Sequence, residues 1–101
     1  MNKIEFLYIG WCKGVTRGVT HDKVWTAFRV GEKYYAGWGA RGKTIRFKKH
    51  DCIENLERVQ RTKEKKYDEV DSFQLFTIFP YFEEDVEKYL TFSLMANKVM
   101  A

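Results

Sequence analysis

Val24-Trp25-Thr26-Ala27-Phe28-Arg29-Val30, followed by Gly31-Glu32-Lys33 and then Tyr34-Tyr35-Ala36-Gly37-Trp38, is the stretch whose reading decides the fold. The first run is rich in β-branched and aromatic residues, and Tyr34–Trp38 is rich in aromatic ones. Only a short glycine-led loop separates them, which predicts an antiparallel hairpin. Upstream, Lys3–Trp11 sets Ile4, Phe6, Tyr8 and Gly10 against Glu5, Leu7, Ile9 and Trp11. Both sides are partly apolar, as in a strand with neighbours on both edges. Lys13–Asp22, with Gly14, Gly18 and several hydroxyl residues, reads as a loop.

Downstream, Trp38-Gly39-Ala40-Arg41-Gly42 reads as the next turn and Lys43–Lys49 as a fourth strand. In that strand Ile45 and Phe47 alternate with Thr44, Arg46 and Lys48, giving one apolar and one basic face. The pattern changes at Asp51-Cys52-Ile53-Glu54, which has capping-box spacing. Ile53, Leu56 and Val59 then recur at helical spacing, and Arg58, Arg61, Lys63, Lys65 and Lys66 load the end of that helix with positive charge. Tyr67–Val70 predicts a short edge strand, and Ser72–Phe79, which alternates Phe73, Leu75, Thr77 and Phe79, a further strand. Pro80 suits the first position of a last helix with Glu83, Glu84, Asp85 and Glu87 in its opening turns. The expected fold class is α+β. An antiparallel sheet of four to five strands packs against a long helix over about residues 3–70. A C-terminal strand and helix extend it over residues 71–101 of one domain.

Of the 101 residues, 45% are hydrophobic and 17% aromatic, enough for a modest core and too many for a disordered chain. Residues 1–50 hold eleven Lys/Arg against three Asp/Glu, a charge of +8, whereas residues 51–101 sum to −4. An acidic partner is therefore expected on the first half. No secretory signal or bilayer-length apolar run is present, so no membrane association is expected. Cys12 and Cys52 read as reduced, structural cysteines of an intracellular, cytoplasmic protein. They form no ligand spacing with His21 or His50, so no metal is expected.

Enzyme chemistry is poorly supported. Glu83, Glu84, Asp85 and Glu87 diverge around a helix axis instead of converging on a pocket. There is neither a Gly-x-Ser-x-Gly elbow nor a His-Glu-x-x-His pair. Gly37–Thr44 echoes a phosphate-binding loop, but such a loop leads into a helix and this one leads into a strand. The expectation is a protein without catalytic activity or cofactor. Aromatics interleaved with bases carry more weight. Tyr35 and Trp38 precede Arg41, Lys43, Arg46, Lys48 and Lys49, and Gly39 permits close backbone approach. Bases stack on indoles, and Lys/Arg neutralise phosphates.

On these residues the chain resembles the WGR family, named for a Trp-Gly-Arg signature. Trp38-Gly39-Ala40-Arg41-Gly42 is similar to the signature, Val24–Phe28 to the strand before it, the segment ending in Phe47 to the strand after it, Asp51–Lys66 to the single long helix, and Lys66-Tyr67-Asp68-Glu69-Val70 to the ending of bacterial members. Ala40 stands where the family has arginine, so that role passes to Arg41, passes to Lys43, or is lost. The resemblance implies nucleic-acid binding, notably of DNA near strand ends, with Trp38 stacking on a terminal sugar or base. It also implies contacts to neighbouring protein domains.

The expected function is thus a non-enzymatic nucleic-acid-binding module, DNA more than RNA, using Tyr35, Trp38, Gly39, Arg41, Lys43, Arg46, Lys48 and Lys49. The alternative is a protein-binding adaptor or inhibitor, or a homodimer, acting through residues 80–101 and the aromatic tail of Tyr81, Phe82, Tyr89, Phe92 and Met95.

Overall fold

The computed structural model describes the backbone of residues 3–100 and the side chains of residues 3–94, which excludes the Met95 side chain. In chain order the elements are β1 (Ile4–Thr16), β2 (Val19–Val30), β3 (Lys33–Ala40), β4 (Arg46–His50), α1 (Ile53–Glu64), β5 (Asp68–Glu69), α2 (Ser72–Ile78) and α3 (Phe82–Met100). The protein is α+β. Its five strands form one antiparallel sheet in the order β4-β3-β2-β1-β5.

The strand alternation sends two sets of side chains to opposite faces. Tyr8, Trp25, Ala27 and Ala36 pack with Leu56 of α1 and with Tyr67. Ala27 and Ala36 are directly opposite each other, so small side chains lie where the helix crosses the sheet. Ile9, Val24, Phe28 and Tyr35 face the other way and meet Leu75, Ile78, Phe79, Phe82 and Val86. The sheet is therefore the middle layer of three. Gly10 permits close packing on the α1 side: a Cβ there would lie 2.6 Å from the Tyr67 Cβ. The Tyr8 hydroxyl donates to the Tyr67 carbonyl at 2.8 Å, fixing the chain as it leaves α1.

Several local expectations are corrected. Ser72–Ile78 is helix α2, not a strand. Leu75, Ile78, Phe79 and Phe82 are buried at helical spacing, while Phe73 and Thr77, which strand alternation had placed with Leu75, are exposed. Asp71 supplies the start: its carboxylate accepts from the Gln74 N–H at 2.9 Å, and the Gln74 side chain accepts from the Asp71 N–H. The box expected at Asp51 is not formed, because Cys52 occupies the N-cap of α1 without a side-chain bond. Pro80 lies in the turn before α3, two residues ahead of Phe82, rather than in its first turn.

Two corrections bear on function. Lys13–Asp22 is not a loop, since β1 and β2 run on as a ribbon joined by the two-residue turn Arg17-Gly18. Both turn residues have positive φ, 52° and 80°, as in the hairpin turns that match strand twist. Trp38, Gly39 and Ala40 lie inside β3, so the turn begins only at Arg41, and β4 starts at Arg46 rather than Lys43.

Candidate nucleic-acid interface

Because Trp38 belongs to a strand, its face follows from pairing. It sits opposite Trp25 on β2 and opposite Arg46 on β4. Directly opposed residues share a face, and Trp38 packs with the α1-side cluster while remaining half-exposed. Lys48, opposite Ala36, follows Arg46 on the same face. Trp38, Arg46 and Lys48 are thereby brought together beside α1.

The other expected site residues are placed elsewhere. Arg41 turns to the opposite face, where its Nε donates to Asp22 Oδ2 at 2.7 Å. The guanidinium lies 5.9 Å from the centre of the Trp11 ring, and the Lys13 ammonium lies 5.0 Å from it. Gly39 faces the same layer, 3.5 Å separating the position of a Cβ there from the Phe79 ring. Tyr35 is a core residue, 5% exposed and stacked on Phe28 at 5.6 Å. Lys49, paired with Tyr35, lines a cleft with Tyr89 and Leu90 at the α3 edge. Lys43 is exposed in the segment that joins β3 to β4. The eight residues do not form one contiguous site.

The geometry also brings in residues that the sequence reading passed over. Lys23 shares the face of Trp25, and at the end of α1 it meets Lys66 and Lys63. The close approach of the Lys66 side chain lowers the Lys23 pKa; desolvation and the Lys66 charge add to this, Cys12 acts in the opposite direction, and Lys63 has the smallest lowering effect. Like charges held together in this way oppose one another until an anion intervenes. Strand alternation at Lys23 was a usable signal. Lys63 and Lys66 read as ordinary helix-end charge, and only the tertiary fold sets them beside β2.

Asp22 organises the Trp11 side. It accepts from the Trp11 indole Nε1 at 2.8 Å as well as from Arg41, and the Arg41 N–H donates to the Asp22 carbonyl at 2.9 Å. The indole bond is the largest influence and lowers the Asp22 pKa; desolvation opposes it, and the Arg41 bond and charge, with the Lys13 charge, add to the lowering. A carboxylate depressed in the fold adds stability above its unfolded pKa of about 3.9 and loses it as pH falls through the lower folded value. With 31% of the side chain exposed, solvent screening keeps the contribution modest. Asp22→Asn is therefore expected to lower the urea midpoint at neutral pH and to make its decline below about pH 4 shallower.

Among the described residues, no group of three or more His, Cys, Asp or Glu is arranged to hold a metal ion, and no helix is long and apolar enough to cross a membrane. In class, then, this is an α+β protein with a basic, aromatic sheet face beside a helix end. Comparison with known proteins finds no matching family model, no matching curated protein and no matching solved structure.

Proposed function

We propose that this protein binds nucleic acid, DNA in preference to RNA, through the sheet face beside α1. The observation that carries this reading is the register that puts Trp38 against Arg46, with Lys48 on the same face and Lys23 meeting Lys66 at the helix end. An indole flanked by cations can stack a base or sugar while the ammonium groups neutralise phosphates. No ion pair engages Lys23, Arg46, Lys48, Lys63 or Lys66 among the described residues, so these charges are available to a polyanion. The resemblance of residues 3–70 to the WGR family points the same way for Trp38. Arg41, held by Asp22 on the other face, does not join it in one stacking site. Titration of labelled duplex DNA, single-stranded DNA and RNA tests the reading. Affinity should fall steeply with added salt, log K changing by about 0.9 per log unit of salt for each duplex phosphate contacted. Salt-independent binding, or none to any probe at low salt, overturns it.

A protein-binding role for α3 is the second reading, favoured by Phe92 and Leu94, which are 75% and 59% exposed. It applies to the outer surface only, because Phe82 and Val86 of the same helix are fully buried.

A further inference from the structure

The β1–β2 ribbon projects past everything that covers the sheet. Every residue from Lys13 to Thr20 is exposed, including Val15 at 69% and Val19 at 58%. A ribbon with neither face packed contributes little to the core, which leaves both of its faces open to a partner. The pairing Lys13↔Asp22, Val15↔Thr20 and Thr16↔Val19 keeps the ribbon regular to its tip. Four residues per strand, Lys13 to Thr16, at about 3.4 Å each make an arm roughly 14 Å long.

Its charge is arranged on both sides. Lys13 and Arg41 flank Trp11 on one face of the root. Lys23, with Lys63 and Lys66, occupies the other face. Asp22, the only carboxylate between Lys13 and Lys23, is already engaged by Trp11 and Arg41. Arg17 stands at the tip.

We propose, resting on the nucleic-acid reading above, that this arm enters the major groove of B-form duplex DNA tip first. The root cations then face the two phosphate walls, Arg17 reaches the base edges, and Val15 and Val19, which project from opposite faces of the ribbon, line the two sides of the groove. The dimensions agree. The groove is about 12 Å wide and 8.5 Å deep and admits a two-stranded ribbon. The deep, narrow major groove of A-form RNA does not admit side chains in this way. A guanidinium can pair with guanine O6 and N7, and a valine can contact a thymine methyl.

The test is Arg17→Asn in the full chain. Asparagine before Gly18 is a favoured hairpin-turn pair, so the ribbon is preserved while the guanidinium is removed. Val15→Thr/Val19→Thr keeps β-branching at the tip and removes the apolar contacts. Either variant should weaken binding to duplex DNA by about tenfold and leave single-stranded DNA and duplex RNA binding unchanged. Wild-type duplex affinity in both variants, while Lys23→Gln/Lys66→Gln has lost it, overturns the arm and leaves the sheet-face reading standing. Equal losses on all probes also overturn it, since the tip would then be reading no groove. Failure of the wild-type chain to bind any nucleic acid removes both readings.

Discussion

Phe82→Ala should destabilise the protein by about 3–5 kcal/mol, the usual cost of removing a fully buried phenylalanine and leaving the void. Phe82 is 0% exposed and is surrounded by rings from three strands and α2. Its centroid lies 5.7 Å from Phe6, 5.7 Å from Phe28, 5.8 Å from Phe47 and 6.5 Å from Phe76. Beyond lost burial, the edge-on pairs with Phe28 and Phe47 would each forfeit about 0.5–1.5 kcal/mol of aromatic contact. Few single changes elsewhere remove so many partners at once. Equilibrium urea unfolding checks it. A cost below about 1 kcal/mol would show that α3 is not part of the core, and would return it to the role of an independent docking tail. By the same argument, removing residues 80–101 should expose Phe28, Tyr35 and Phe47 and leave an aggregating product.

Lys23→Gln/Lys66→Gln should separate binding from stability. The ammonium groups oppose each other in the free protein, so their removal is expected to leave stability unchanged or to raise it by about 0.2–0.5 kcal/mol, the scale of exposed like-charge pairs. The direction follows from the lowered Lys23 pKa. The repulsion disfavours the protonated form in the fold, so it acts below the folded pKa and is relieved as pH rises past it. On nucleic acid the sign reverses. Loss of two phosphate contacts should weaken duplex binding at least about tenfold at low salt and flatten the salt slope by about 0.9 per contact. A pair of lysines remote from the DNA would leave the salt slope unchanged.

The edge strand expected over Tyr67–Val70 forms only at Asp68–Glu69, whereas the central hairpin and the α1 stripe were legible because alternation and helical spacing were unambiguous there. Ser72–Phe79 was not, since Phe73, Leu75, Phe76, Ile78 and Phe79 satisfy both periods. The Asp71/Gln74 cap, rather than hydrophobic spacing, separates the two. The ribbon was hidden by its glycines, although Val15-Thr16-Arg17-Gly18-Val19-Thr20 carries β-branched pairs around a left-handed dipeptide. For the site, the basic character of β4 could be read directly. The face of Trp38 and Arg41 could not, because it depended on where β3 ends. Two more residues of strand put the indole beside α1 and turned the guanidinium onto Asp22.

The most direct test of the sheet-face account is a charge-matched comparison on one duplex DNA probe at two salt concentrations. Lys23→Gln/Lys66→Gln removes two positive charges on the α1 side of the sheet, whereas Lys33→Gln/Lys49→Gln removes two at the α3 edge. The account predicts a large affinity loss and a flatter salt slope for the first pair and near wild-type behaviour for the second. Equal losses in both would contradict it, because net charge alone would then suffice and no face would be special.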